Sequence, residues 1–140
     1  MRITKRKLLD FIYYKTKDKE CNDKQIKIVA KCENDDLELT ANVNFVIVFN
    51  HEGTVTITNE KMDKDDKCIT FKEFIDFMEN SDIQLKEDYD IHFSICMLNS
   101  TIFYREEFED LDFIITDEDV RIIFINPYRG GINTWITHNI

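Results

Sequence analysis

Apolar residues recur along the chain with two distinct periods, and the alternation between those periods lays out the elements. Over 4–14, Leu8, Phe11 and Ile12 fall on one helical face with Leu9 and Tyr13 beside it, and Thr4 stands at the N-cap position. Over 70–80, Phe71, Phe74, Ile75 and Met78 take the i, i+3, i+4, i+7 positions of a second helix. Its start, Thr70-Phe71-Lys72-Glu73, has the spacing of a capping box, in which the hydroxyl accepts from the third helical amide while the carboxylate reaches back. Asn80-Ser81 closes it.

Elsewhere the period is two, the signature of strands. Ile26, Ile28, Ala30 and Cys32 alternate with Lys27 and Lys31. Residues 37–49 alternate again, with Leu37, Leu39, Ala41, Val43, Phe45, Ile47 and Phe49 on one face. The other face is polar as far as Asn44 and then apolar at Val46 and Val48, which predicts one long strand running from a half-exposed end to a doubly covered end. Asn50-His51-Glu52-Gly53 reads as a hairpin turn and 54–58 as the return strand. Further on, Ile91, Phe93, Ile95 and Met97 alternate with His92, Ser94 and Cys96, and 99–105 returns. Residues 111–116 and 120–126 flank a turn, and 132–140 alternates once more. The pattern predicts a single α+β domain over 1–140: an antiparallel β-sheet (a meander plus C-terminal hairpins) with about two helices packed on one face. It shows no linker, and the elements read as unrelated to one another rather than as a repeat.

Composition narrows the function classes. The 140 residues include only three Gly and one Pro, and neither GxGxxG nor GxxxxGK[ST] occurs, which excludes nucleotide binding by those two glycine-rich devices. No apolar run approaches the roughly 20 residues of a membrane span, and the basic start Met1-Arg2-Ile3-Thr4-Lys5-Arg6-Lys7 is followed by no apolar core of a signal peptide. A cytoplasmic protein is expected, in the host cytosol if its source is viral or phage. Cys21, Cys32, Cys68 and Cys96 form no CxxC pair and are expected as free thiols.

Motifs of catalysis and metal binding fail on inspection. The segment from Asp63 to Phe74 resembles the second half of an EF-hand, with Ile69 as the central apolar residue and Glu73 as the closing ligand. In that register Met62 takes the first ligand position, Lys64 the third, and Lys67 the place of the required glycine, so only Asp66 and Glu73 fit. The segment reads instead as an acidic loop before a capped helix. His92 and Ser94 share a strand face at about 7 Å, and His92 and Cys96 at about 13 Å, too far for a direct base–nucleophile bond or a shared metal. No catalytic residue, metal ligand or cofactor is therefore assigned. Tyr128-Arg129-Gly130-Gly131 could place Arg129 for a partner contact, and Tyr128 and Trp135 could form an apolar contact surface.

Charge is the strongest signal. The net charge is −10, yet residues 1–31 carry ten Lys/Arg against four Asp/Glu, while 32–140 carry eight against twenty-four. Within 106–119 there are eight acids and no Lys or Arg: Glu106, Glu107, Glu109, Asp110, Asp112, Asp117, Glu118 and Asp119. Asp63, Asp65 and Asp66 form a second patch. Such clusters repel one another and favour a basic partner. In size and charge the chain is similar to small acidic inhibitors: phage counter-defence proteins (anti-CRISPRs among them), nucleic-acid mimics, and immunity proteins that neutralise toxins. That likeness implies a non-enzymatic inhibitor of a basic protein such as a nuclease or other nucleic-acid-processing enzyme, with no direct contact to nucleic acid or membrane. A small carboxylate-dependent hydrolase and a module binding through an apolar surface are the competing expectations. The basic first helix would either dock against the protein's own acids or face an acidic partner.

Overall fold

A computed structural model describes residues 2–32, 38–59, 68–80, 86–97, 100–105 and 110–126. The chain runs α1 (Lys5–Thr16), β1 (Gln25–Cys32), β2 (Glu38–Asn42), β3 (Phe45–Phe49), β4 (Thr54–Thr58), α2 (Phe71–Asn80), β5 (Asp90–Met97), β6 (Ser100–Arg105), β7 (Asp110–Ile115) and β8 (Asp119–Asn126). It is an α+β fold, as the pattern predicts. The strands, however, form two four-stranded sheets, ordered β2-β1-β8-β7 and β3-β4-β5-β6. Each consists of two antiparallel hairpins joined by a central parallel pair, β1 with β8 and β4 with β5. The expected single antiparallel meander is therefore corrected to two mixed sheets. The strand pattern over 132–140 and the EF-hand-like loop over 63–67 lie outside the described residues.

The correction has a local cause. The alternation over 37–49 is continuous, but the strand divides at Val43 and Asn44. The Val43 amide donates to the carbonyl of Ile26 in one sheet, and the Asn44 amide donates to the carbonyl of Thr58 in the other. The chain changes sheets without turning, so no Gly or Pro marks the place. The β3–β4 turn does carry a signal: Gly53 sits at φ 65, a left-handed conformation that glycine adopts without penalty. The inner faces of both sheets and the buried sides of α1 and α2 share one core. At its centre Phe93 of β5 and Phe124 of β8 stack with ring centroids 4.6 Å apart, joining the two sheets.

The two sheets also reveal an internal duplication that the reading of separate elements passes over. Residues 3–58 and 69–126 each run helix, hairpin, hairpin. The isolated bridges are reciprocal: Thr4, the cap of α1, pairs with Asp90 at the start of β5, and Thr70, the cap of α2, pairs with Gln25 at the start of β1. The parallel pairs are equivalent in register too, Gln25 opposite Asp119 and Thr54 opposite Asp90. Each repeat gives one hairpin to each sheet, so the repeats are interlocked, in the manner of an isologous dimer written as one chain. The sequence trace is clearest in the helices, where Ile3-Thr4 and Asp10-Phe11 recur as Ile69-Thr70 and Asp76-Phe77.

Duplication fixes how the helices begin. The first amides of a helix have no partner within it. In α1, Lys5 donates to the Tyr89 carbonyl at 2.7 Å, Arg6 to the Glu87 carbonyl at 3.1 Å, and Lys7 to the Thr4 hydroxyl at 3.3 Å. In α2, Phe71 donates to Lys24 at 2.7 Å, Lys72 to Asn22 at 3.2 Å, and Glu73 to the Thr70 hydroxyl at 3.1 Å. The capping box is complete, because the Thr70 amide donates to the Glu73 carboxylate at 3.1 Å. Thr4→Ala and Thr70→Ala should each cost about 1 kcal/mol in urea unfolding, and Phe93→Ala, which removes a stacked ring from a fully buried site, about 3–5 kcal/mol.

Candidate functional site

The described part of the acidic cluster lies along one border of the β2-β1-β8-β7 sheet. Leu111, Phe113 and Ile115 pack toward the core, which turns Asp110, Asp112 and Ile114 outward on β7, the outermost strand. Carboxylates two residues apart on a strand lie about 6.6 Å apart, so Asp110 and Asp112 form a regular row. The row runs on to the β7–β8 turn, where Asp117 and Glu118 are exposed. The turn is built by Thr116: its amide donates to the Asp119 carbonyl at 2.9 Å, and its hydroxyl accepts from the amides of Glu118 and Asp119 at 3.3 and 3.0 Å. Asp110, Asp117 and Glu118 make no ion pair with a described residue. Asp112 meets Lys15 at 3.6 Å, but both ends are exposed and such a pair contributes little. Glu106, Glu107, Glu109, Asp63, Asp65 and Asp66 lie outside the described residues, as do Tyr128, Arg129 and Trp135.

Asp119 does not belong to this surface. It is 3% exposed and sits at the start of β8 opposite Gln25. Arg121 donates to it from Nε at 2.9 Å and from Nη2 at 3.3 Å, Lys27 approaches to 3.3 Å, and the Thr116 hydroxyl donates at 2.7 Å. Burial alone would raise the Asp119 pKa. The bonds from Arg121, Thr116 and Lys27 overcome that and lower it to about 2. Its charge is consumed inside the fold, because the parallel pairing of β1 with β8 brings Lys27 and Arg121 side by side.

The basic first helix is likewise turned inward. Arg6 pairs with Asp10 at 3.0 Å, Glu79 at 3.2 Å and Glu87 at 3.5 Å, and the nearly buried Lys5 pairs with Glu87 at 3.6 Å. Glu87 also places negative charge beside the first turn, which offsets the unfavourable position of three cations at the positive end of the helix dipole. Of the two readings of this helix, docking on the protein's own acids is the one the geometry supports.

The remaining chemistry-bearing groups are dispersed. His51 is in an exposed turn, and His138 lies outside the described residues. His92 and Ser94 are buried on the side of β5 that faces away from the core, beside Thr56 and Thr58 of β4. Both make interactions of their own. Cys21 and Cys68 are free and buried, and burial raises the pKa of each thiol, so neither is an activated nucleophile. Among the described residues no three His, Cys, Asp or Glu come together as a metal site. Two open clefts, of about 320 and 300 Å³, contain no histidine and no pair of carboxylates. No described helix is long and apolar enough to cross a membrane.

Comparison with family models, curated proteins and solved structures finds no significant match to this chain.

The Asp119 cluster has a consequence for stability. Its folded-state pKa lies below the unfolded value, so its contribution is complete above about pH 5 and is lost as pH falls through about 2. That contribution is on the order of 2 kcal/mol. Asp119→Asn should lower stability at pH 7 by at least this amount and flatten the fall in stability between pH 4 and pH 2, measured by chemical unfolding across that range.

Proposed function

We propose that the protein is a non-enzymatic inhibitor that docks its acidic β7 edge on a basic protein, a nuclease or other nucleic-acid-processing enzyme. The observation that carries this reading is the separation of charge roles in the described residues. Asp119, Glu79 and Glu87 neutralise cations of the fold, whereas Asp110, Asp117 and Glu118 are exposed along one border and make no ion pair with a described residue. An edge strand needs charge to resist pairing with another edge, but lysine serves that purpose particularly well. Here the charged residues of 106–119 are all acidic and none is basic, with Asp119 set apart by its internal pairing, and a single sign over so short a length steers association with a cationic surface.

Ile114, 42% exposed, stands in the same outward row as Asp110 and Asp112. It supplies an apolar contact that would be dehydrated on docking, and the surrounding acids would set orientation. This is the usual division between the centre and rim of an interface.

The test is affinity capture from host lysate at low salt with elution by a salt step. The expected result is a basic nucleic-acid-binding protein that elutes with salt and is displaced by its own nucleic acid. The quadruple variant Asp110→Lys, Asp112→Lys, Asp117→Lys, Glu118→Lys should weaken its capture at least tenfold. Equal capture by the variant would remove this edge from the interface.

A further inference from the structure

The two helices lie antiparallel, and the duplication makes their two ends comparable. Arg6 near the start of α1 meets Glu79 near the end of α2. At the other end, Tyr13 of α1 shares a cleft of about 320 Å³ with Phe71 and Lys72 at the start of α2. By the repeat, Lys72 corresponds to Arg6, Ile75 to Leu9, Asp76 to Asp10, Tyr13 to Glu79 and Asn22 to Glu87. The first end is closed by ion pairs, with Arg6 gripped by Asp10, Glu79 and Glu87. At the second end neutral Tyr13 and Asn22 replace two of those three carboxylates. Lys72 therefore faces only Asp76 of the corresponding acids, and it makes no ion pair with a described residue.

What remains there is a built cleft. Its floor is apolar: Phe71 and Cys21 are 6% and 3% exposed, and Ile75 is half-buried. Tyr13 forms a wall; the Arg6 guanidinium lies 5.9 Å from its ring centroid, and the Tyr13 hydroxyl is hydrogen-bonded to Glu79. Lys19 and Lys72 stand exposed at the mouth beside Asp76, and neither lysine makes an ion pair with a described residue; Glu20 lies near Cys21, and Glu79 lies at the far edge of the site, at Tyr13. The amides at the start of α2 are already bonded to Lys24, Asn22 and Thr70, so an anion here would be held by the lysines and not by the helix terminus.

We propose that this interhelical cleft is a binding site for a small aromatic carboxylate, its ring between Tyr13 and Phe71 and its carboxylate paired with Lys72 and Lys19. The volume is at the small end of the range for ligand sites, about 300–1,000 Å³, and suits a single- or fused-ring acid better than a nucleotide. The site is separate from the β7 edge and does not rest on the inhibitor reading.

The experiment is a titration of the full chain with phenylacetate and indole-3-acetate, with phenylacetamide and indole-3-acetamide as uncharged controls, followed by amide chemical shifts in ¹H–¹⁵N NMR. The acids should shift the signals of Tyr13, Cys21, Asn22, Lys72 and Ile75 with dissociation constants of about 1 mM or tighter, and the amides should bind at least tenfold more weakly. Lys72→Glu and Lys19→Glu, both at exposed positions, should each weaken the acids severalfold while leaving the other signals in place. No shifts at about 10 mM acid would overturn the proposal, a concentration at which a 1 mM site is nearly saturated. Equal binding of acids and amides, or unchanged binding in both lysine variants, would overturn it as well.

Discussion

Everything in this fold hangs on a reciprocal clasp, in which the first turn of each helix is completed by the strand start belonging to the other repeat. Lys5 and Arg6 donate to the backbone of Tyr89 and Glu87, and Phe71 and Lys72 donate to Lys24 and Asn22. Buried backbone donors left open would cost about as much as a lost hydrogen bond each, so neither helix can start properly without the opposite half. The same contacts set the strand register, because the Ile91 and Ile26 amides bond to the carbonyls of Ile3 and Ile69 just ahead of the helices. Parallel pairing of β1 with β8 and of β4 with β5 follows from those starting points.

The clasp also organises the charges. By bringing α1 against the turn at Glu87, it places Lys5 and Arg6 beside acids drawn from α2 and from the approach to β5. By aligning β1 with β8, it stacks Lys27 and Arg121 around Asp119. The cations of the amino-terminal stretch are thus partly spent within the molecule, while Asp110 and Asp112 on β7 face outward. The two repeats share a backbone but have diverged in which contacts are ionic. One helix end is sealed by Arg6 and its three acids, whereas its counterpart retains a lysine and an opening.

The sequence made the elements legible where a single period ran unbroken. Both helices, the Thr70 cap, the Gly53 turn and the β7–β8 hairpin can be read from spacing, because each is decided by residues within a few positions. The division of 37–49 could not be read. Val43 and Asn44 are ordinary strand residues, and the change of sheet is decided by Ile26 and Thr58, which are distant in sequence. Asp119 looked like its neighbours Asp117 and Glu118 for the same reason: only the pairing of β1 with β8 shows that Lys27 stands beside it. The duplication did leave a trace, the recurrence of Ile-Thr and Asp-Phe at matching places in the two helices. It is easily missed because the strands preserve only their alternation, which any strand has. Asp110, Asp112, Asp117 and Glu118 are exposed, which the alternation of β7 and the turn after it make legible in the sequence.

The central parallel pair β1–β8 joins Gln25 to Asp119 and so spans most of the chain. A ribosome releasing this protein cannot complete the sheet until the last described strand has emerged. Until then β1 has its hairpin partner β2 on one side and an open row of amides and carbonyls on the other. Closure of this sheet is thereby tied to the synthesis of β8. Hairpins form early because their contacts are local, and the two halves lock together late, at the slower pace set by long-range pairing. During that interval the vacant side of β1 matches the unfinished β8 of its own chain, and it matches that of a neighbouring nascent copy equally well. High local synthesis is therefore the condition under which exchange between copies competes with correct closure.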